Sequence, residues 1–165
     1  MPLPPPVIDG FEFASAGASA QGVWPLAAFP RLRDWLASDE GEVAYTLEGI
    51  HDTRGRAALR VRVQGTLSLR CQRCLEAFEH EVCLDETLVL AASQAEIDAE
   101  PADADAADRI VAARNMPVRD LVEDELILAV PYAPRHESCS AGLRAGAAAS
   151  ASPFAGLRRL MDGKH

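Results

Sequence analysis

Two cysteines three residues apart interrupt the alternating pattern of the sequence, in the stretch LRCQRCLEAFEHEV at 69–82. Thiolates with this spacing can bind one metal ion, and tetrahedral zinc then requires two further ligands. A histidine and a cysteine repeat the three-residue spacing in RHESC, after a segment predicted to be helical. The candidate zinc ligands are therefore Cys71, Cys74, His136 and Cys139, although the sequence does not show that the two pairs meet.

The two cysteines at 71 and 74 allow two other interpretations. A redox pair of the thioredoxin type has its first cysteine at the N-terminus of a helix, which lowers the pKa of that thiol. Here a strand is predicted on each side of the pair, so the βαβ context of a redox pair is missing. Alternatively, Cys71 is a small apolar residue on the buried side of its strand and Cys74 is a loop thiol. Cys83 is expected on the polar side of the next strand and is excluded as a ligand.

Arginines alternate with apolar residues in the segment before the first cysteine. Arg60, Arg62 and Arg70 share one side of this segment, and Arg73 lies between the cysteines. Such a stripe could contact the phosphates of an RNA. Acidic residues are expected on the same side of the next strand, and cross-strand ion pairs would neutralise part of this charge. No aromatic residue is interleaved with the arginines, so stacking on single-stranded bases is not predicted.

Three adjacent carboxylates in LVEDEL, at 121–126, are the other residues with chemical potential. Glu123 and Asp124 fall on the polar side of a predicted helix, where solvated side chains are expected. Glu125 falls nearer the apolar side and could meet an arginine of the sheet. The sequence has no Ser/His/Asp order and no glycine-rich phosphate loop, so we expect a protein that is not an enzyme.

The composition is that of a globular protein with a substantial core. The chain has 165 residues, of which 48% are apolar, and a formal net charge of -9. This charge argues against general affinity for nucleic acid or anionic membranes, but it is compatible with a local basic patch. No segment reaches the roughly 18 apolar residues that span a bilayer, and the N-terminus lacks the features of a signal peptide. We therefore expect a cytoplasmic protein with reduced thiols.

The strongest periodicity predicts two long strands that share one buried side. Apolar residues take odd positions over 56–71 and even positions over 77–90. This is the period of a half-buried strand. A common buried face requires an odd residue opposite an even one, and we expect Cys71 opposite Phe78. Gly65 interrupts the first run and predicts a bulge or a bend.

The helix predicted near 119–130 should cover the apolar face of these strands. Apolar residues recur in it at helical spacing, and Pro131 should end it. We expect Leu121, Val122 and Leu128 to pack on the sheet.

These elements together predict an α+β fold, an antiparallel sheet that could curl toward a barrel at Gly65 and is packed by a few helices. The single α+β domain is expected over 23–139, after a mobile N-terminal lead-in at 1–22. Smaller segments are expected as a short helix near 30–38, a strand at 42–50, an acidic surface loop at 93–108, and a linker with a short C-terminal helix at 140–165.

Three segments resemble one protein family in their order along the chain. They are GTLSLRCQRCLEAFEHEV at 65–82, DLVEDELILAVPYAPRHESC at 120–139 and PFAGLRRLMDGK at 153–164. The pairing of Cys-x-Arg-Cys with a downstream acidic helix that ends in Leu-Ala-x-Pro resembles the YceD family, the large ribosomal RNA subunit accumulation proteins.

The resemblance implies a bacterial cytoplasmic protein needed for synthesis, processing or stability of 23S rRNA, with no known catalytic activity. Its partner would be 23S rRNA, a large-subunit ribosomal protein or an assembly factor, with no DNA and no membrane. Many relatives carry further cysteines after the helix that look like metal ligands, whereas this chain has none beyond Cys139. By similarity, the signature positions are Cys71, Arg73, Cys74, Asp124, Glu125 and Pro131, and Leu128 lies in the same helix motif.

A function of a different class stays open at this point. Cys71 and Cys74 could serve a redox or metal-responsive protein instead of an RNA-associated one. Metal analysis and thiol titration would separate the two classes.

Overall fold

A computed structural model describes residues 6–100 and 107–136 of the chain. Its main feature is a six-stranded open sheet in the order β2-β4-β5-β6-β7, with β3 beside the end of β5. The strand pairs are antiparallel except β6 and β7, which are parallel. The strands are β1 Val7–Ile8, β2 Ser19–Pro25, β3 Leu36–Ser38, β4 Glu42–His51, β5 Ala57–Arg70, β6 Ala77–Ala91, β7 Arg109–Val111 and β8 Met116–Pro117.

Within the described residues three α-helices accompany the sheet, and β1 and β8 pair with each other as a separate two-stranded ladder. The helices are α1 Gly10–Ser15, α2 Gln94–Asp98 and α3 Val118–Ala129, and two 3₁₀ turns lie at Leu26–Ala28 and Leu32–Trp35. The predicted α+β fold with an antiparallel sheet is confirmed. No helix within the described ranges is long and apolar enough to cross a bilayer.

The two long strands alternate as their sequence predicts. Odd residues of β5 such as Val61 and Val63 are fully buried, and they face even residues of β6. The pairing differs by two residues from the prediction, because Phe78 lies opposite Leu69 and not opposite Cys71. Cys71 has left the ladder, since its N–H donates to Glu76 O and its carbonyl accepts from Leu75 N, both at 2.9 Å.

Gly65 allows β4 to approach β5 closely. A Cβ at this position would lie 2.5 Å from Val43 Cγ1 and 3.0 Å from Glu42 O. The pairing of β5 with β6 continues through Gly65 without a shift, and the pairing of β5 with β4 ends at Gly65 opposite Val43, so the predicted bulge is wrong. The glycine is explained by this close contact at the start of β4.

Helix α3 lies where it was predicted, but it is rotated about its axis relative to the expected orientation. Val118, Val122 and Leu126 are fully buried, and Leu121 packs partly against the core. Leu128, which was expected on the sheet, is 73% exposed. At 3.6 residues per turn its side chain leaves the helix roughly 120° away from that of Val122. The three residues expected on the sheet therefore extend from the centre of the buried face, which is at Val122, to beyond its edge at Leu128.

The N-terminal segment is more structured than expected. Within the described part of 1–22, α1 is capped by Asp9, whose side chain accepts from Glu12 N at 3.0 Å. The helix packs directly on β4, where a Cβ at Gly49 would lie 2.3 Å from Phe13 O. The prediction of a mobile lead-in is wrong for this segment. The sequence did not reveal the helix, because α1 packs on the backbone of β4 at Gly49 and such a contact produces no apolar periodicity.

Two other segments also differ from their predictions. The helix expected near 30–38 is a 3₁₀ turn followed by β3, whose Leu36 pairs with Leu69 of β5. The acidic segment 93–108 contains α2, and residues 101–106 lie outside the described ranges. Arg109 folds this segment back by pairing with Glu96 at 2.9 Å and Glu100 at 3.0 Å. The linker and helix predicted over 140–165 also lie outside the described residues.

Candidate metal centre and its basic surroundings

The loop between β5 and β6, residues 71–76, forms a tight turn that we term the knuckle. Its two crossing backbone hydrogen bonds join Cys71 to Leu75 and to Glu76. Leu75 has a φ of 67°, the left-handed region in which a side chain other than glycine costs roughly 1–3 kcal/mol. Such strain persists only where surrounding contacts impose it. The knuckle is therefore held in one conformation by its neighbours.

The segment that follows α3 lies against the knuckle. Gln72 N donates to Pro134 O at 2.9 Å, and Gln72 Nε2 donates to Tyr132 O at 3.4 Å. The ring of His136 lies near that of Phe78, with centroids 5.6 Å apart. These contacts bring a histidine to two cysteines that precede it by more than sixty residues.

Cys71, Cys74 and His136 converge on one point. Their ligand atoms all lie within 4.8 Å of one another, and Cys74 Sγ is 3.7 Å from His136 Nε2. Ligand atoms of a tetrahedral zinc site are about 3.3–3.8 Å apart, from bonds of about 2.0–2.3 Å. Two thiols and an imidazole are the donors that zinc prefers. These three residues could hold a zinc ion with one position left for a fourth ligand; Cys139, the predicted fourth ligand, lies outside the described residues.

The thiol of Cys71 is prepared for ionisation by the backbone around it. Burial of this thiol opposes ionisation, but N–H groups that donate to the sulfur outweigh burial and lower its pKa to about 6. Those N–H groups belong to Cys74, Arg73 and His136. Because the thiolate is the form that binds metal, this environment suits a ligand.

The cysteines do not have the surroundings of a thioredoxin-type redox pair. The knuckle connects two antiparallel strands, so Cys71 does not begin a helix. Cys71 is fully buried, as the simple core interpretation required, yet it also belongs to the convergent group. Cys83 is exposed opposite Gln64 on the polar face of the sheet and is not part of that group.

Two of the four candidate RNA-binding arginines form cross-strand ion pairs. Arg60 donates two hydrogen bonds of 2.6 Å to the carboxylate of Asp85. Arg62 pairs with Glu48 and lies 3.9 Å from Asp85. The Arg60 guanidinium holds the pKa of Asp85 below its usual value. The charge of Arg60 and Arg62 is thus largely neutralised within the sheet.

The other two arginines lie at the knuckle and are exposed. The ion pairs found among residues 6–100 and 107–136 include neither Arg70 nor Arg73. The same is true of Arg135, which is also exposed and which the sequence analysis missed. A pattern in the sequence could have indicated Arg135. An arginine directly precedes each of the three converging residues, as Arg70–Cys71, Arg73–Cys74 and Arg135–His136.

Comparison with known proteins identifies the family. A family model described as Large ribosomal RNA subunit accumulation protein YceD matches residues 59–160, more than half of the chain. The chain belongs to the YceD family. No solved structure matches it. The matched range of this YceD-family chain contains the knuckle, α3 and the segment that carries His136, so the family match and the candidate site coincide.

The acidic residues of α3 in this YceD-family chain have structural surroundings that the sequence did not reveal. Glu123, expected in solvent, is 1% exposed. Its Oε1 accepts from the backbone N–H of Arg31 at 2.6 Å and of Leu32 at 3.1 Å, and its Oε2 accepts from Arg31 Nε at 2.9 Å. The prediction of a solvated carboxylate is wrong for Glu123, because the segment around Leu32 covers that side of the helix. Asp124 is half exposed, as expected, and pairs with Arg31 Nη1 at 2.6 Å.

Glu125 lies in an acidic environment and not beside an arginine. It is 7% exposed, and its pKa is raised to about 7, chiefly by burial. The nearby charges of Glu86, Asp108 and Asp124 contribute the rest of this increase. The expected pairing with an arginine of the sheet is wrong, since the charges that act on Glu125 are all carboxylates.

Proposed function

We propose that this YceD-family protein supports accumulation of the large-subunit ribosomal RNA by binding RNA at the knuckle, without catalysing a reaction. The observation that carries the proposal is the set of three exposed arginines, each directly preceding one of the three converging residues in the sequence. Guanidinium groups bind phosphates in a bidentate manner, and arginines without carboxylate partners keep their full charge for such contacts. The family description points to ribosomal RNA as the target.

The distribution of charge in the sheet favours the knuckle over the arginine stripe as a whole. Arg60 and Arg62 would have to leave Asp85 and Glu48 before contacting phosphates. Arg70, Arg73 and Arg135 have no ion pair to break among the residues that the structure describes. Because the net charge of the chain is -9, the whole molecule repels RNA and binding depends on this local patch. The affinity should therefore be modest and sensitive to salt.

A basic ribosomal protein is the other candidate partner, and its positive charge would be attracted to the acidic segment at 93–108. Glu96 and Glu100 in this segment already pair with Arg109, and Glu100 also pairs with Arg56 at 3.4 Å. These internal pairs reduce the charge available to a partner. RNA is therefore the partner that the described charges favour.

Zinc binding by Cys71, Cys74 and His136 is part of the proposal. The ion would join the knuckle to the segment after α3 and so hold Arg73 and Arg135 in a constant relative position. Two thiolates neutralise the charge of the ion, so the basic character of the surface would still come from the arginines. This role is structural, which agrees with the proposed absence of catalysis.

Purified protein should contain about one zinc ion per chain, and Cys74→Ser should lose it. Tetrahedral binding with one thiolate removed leaves two of the three described ligands, which is too few for a stable structural site. Mass spectrometric metal analysis after dialysis against a chelator measures the content. Cys83→Ser is the matched control, because Cys83 lies outside the converging group and its variant should keep the metal. Equal zinc in the Cys74→Ser and Cys83→Ser proteins, or none in the wild type, would contradict the metal centre.

Deleting the gene should lower 23S rRNA relative to 16S rRNA, and the knuckle arginines should be needed to restore it. In vitro, replacing Arg70 and Arg73 with alanine should reduce the slope of log affinity against log salt by about one unit for each phosphate that the variant no longer binds. Binding to a 23S rRNA fragment at several salt concentrations measures this slope.

Arg60→Ala is the matched control for this experiment, because it also removes an arginine from the sheet, but one that is already paired with Asp85. Its slope should remain near that of the wild type. Normal 23S levels in the deletion strain would refute the role in accumulation. Lowered 23S without RNA crosslinks at the knuckle would transfer the contact to a protein partner.

A further inference from the structure

Tyr132 is the most exposed large apolar residue of the described chain, with 96% of its surface accessible. Its backbone is nevertheless hydrogen-bonded to the knuckle. The Tyr132 carbonyl accepts from Gln72 Nε2, and the carbonyl of Pro134, two residues later, accepts from Gln72 N. The ring therefore projects into solvent from a segment that is tied to the knuckle. Exposed aromatic rings on an ordered backbone are typical of binding surfaces.

Arginines lie next to the residues that form these backbone contacts. Arg73 follows Gln72 in the knuckle, and Arg135 lies three residues after Tyr132 on the tied segment. Glu76 is the only carboxylate of the knuckle itself, and it lies 3.9 Å from Cys74 Sγ. Arg73 and Arg135 form no ion pair within 6–100 and 107–136. An aromatic face combined with such guanidinium groups is typical of single-strand binding, since the ring stacks on a base and the cations contact its phosphates.

We propose that Tyr132 stacks on an unpaired base of RNA while Arg73 and Arg135 contact the phosphates beside that base. This inference rests on the proposed RNA binding at the knuckle and specifies the class of ligand, an RNA loop or single strand and not a continuous duplex. Bases inside a duplex are already stacked on their neighbours, so the ring could not reach their faces. The sequence had predicted no stacking, because the aromatic residue is sixty positions away from the knuckle and only the fold brings it there.

The test compares the full-length wild type with Tyr132→Ala and Tyr132→Phe. The probes are a mixed-sequence RNA of about 12 nucleotides, within the usual range of single-strand sites, and the same RNA annealed to its complement. Fluorescence anisotropy gives the affinities. Tyr132→Ala should weaken single-strand binding by roughly 5- to 150-fold, the range expected for loss of one stacked base. Tyr132→Phe should retain most of the affinity, because it keeps the ring.

The control Leu128→Ala removes another highly exposed apolar side chain, on α3, and should bind both probes as the wild type does. Wild-type affinity of Tyr132→Ala for the single strand, together with weaker binding by Arg73→Ala, would overturn the stacking and leave the proposed function intact. Equal weakening of single-strand and duplex binding by Tyr132→Ala would also overturn it. If the wild type binds neither probe, RNA binding itself fails and the exposed ring becomes a candidate contact for a protein.

Discussion

Replacing Leu126 with alanine should lower the free energy of unfolding by about 2–5 kcal/mol, the range for truncating a fully buried leucine. Leu126 is 0% exposed and belongs to the core formed by α3 and the sheet. The loss has two parts, because the removed methyl groups no longer gain from burial and the neighbours cannot fully close the space. Urea denaturation followed by circular dichroism measures the difference from the wild type.

Leu128→Ala is the matched control for this prediction, as the same substitution two residues later in the same helix. Because Leu128 is 73% exposed, the change should remain within about 0.5 kcal/mol. Equal losses for the two variants, or a larger loss for Leu128→Ala, would mean that α3 presents a different face to the sheet. The pair therefore tests the rotation of the helix directly.

Replacing Glu123 with alanine should cost about 2–5 kcal/mol of unfolding free energy. The carboxylate is the acceptor for the backbone N–H groups of Arg31 and Leu32, and each buried donor left without a partner costs roughly 1–3 kcal/mol. The Arg31 side chain is half exposed, so its guanidinium can turn to water and adds little to the loss. Thermal and urea denaturation give the free energy.

Asp124→Ala provides the comparison for Glu123→Ala, since Asp124 pairs with the same arginine at 2.6 Å but its side chain is 54% exposed. An exposed ion pair contributes about 0–1 kcal/mol, so this variant should be close to the wild type. Glu123→Gln, which keeps an acceptor oxygen, should recover part of the loss. A stable Glu123→Ala protein would show that the two N–H groups find water or another acceptor.

The alternation of apolar and polar residues in the sequence was sufficient to predict the two long strands. Alternation over β5 and β6 predicted both strands and their buried sides, because a strand places every second side chain on the same face. The same parity required an odd residue opposite an even one, but it did not determine which odd residue. That choice depended on the turn, where Cys71 bonds to Leu75 and Glu76 and so leaves the ladder.

The periodicity of β5 did not predict which of its arginines form ion pairs. Arg60 and Arg70 occupy equivalent positions of the same alternating strand, yet within the described part of the chain only Arg60 forms an ion pair. The difference comes from the strand beside them, which places Asp85 near Arg60 and Ala77 opposite Arg70. A sequence pattern describes one strand, whereas ion pairing is a property of two.

The sequence by itself determined the α+β class, the two long strands, the position of α3 and the two cysteines that could bind metal. The tertiary structure alone decided which face of α3 is buried, that Glu123 accepts backbone hydrogen bonds, and that His136 and Tyr132 join the knuckle. The physical reason is the range of the interactions. Periodicity and turn chemistry act between residues a few positions apart, whereas each of these contacts joins segments about sixty or more residues apart. Such contacts form only when the whole sheet and helix pack together.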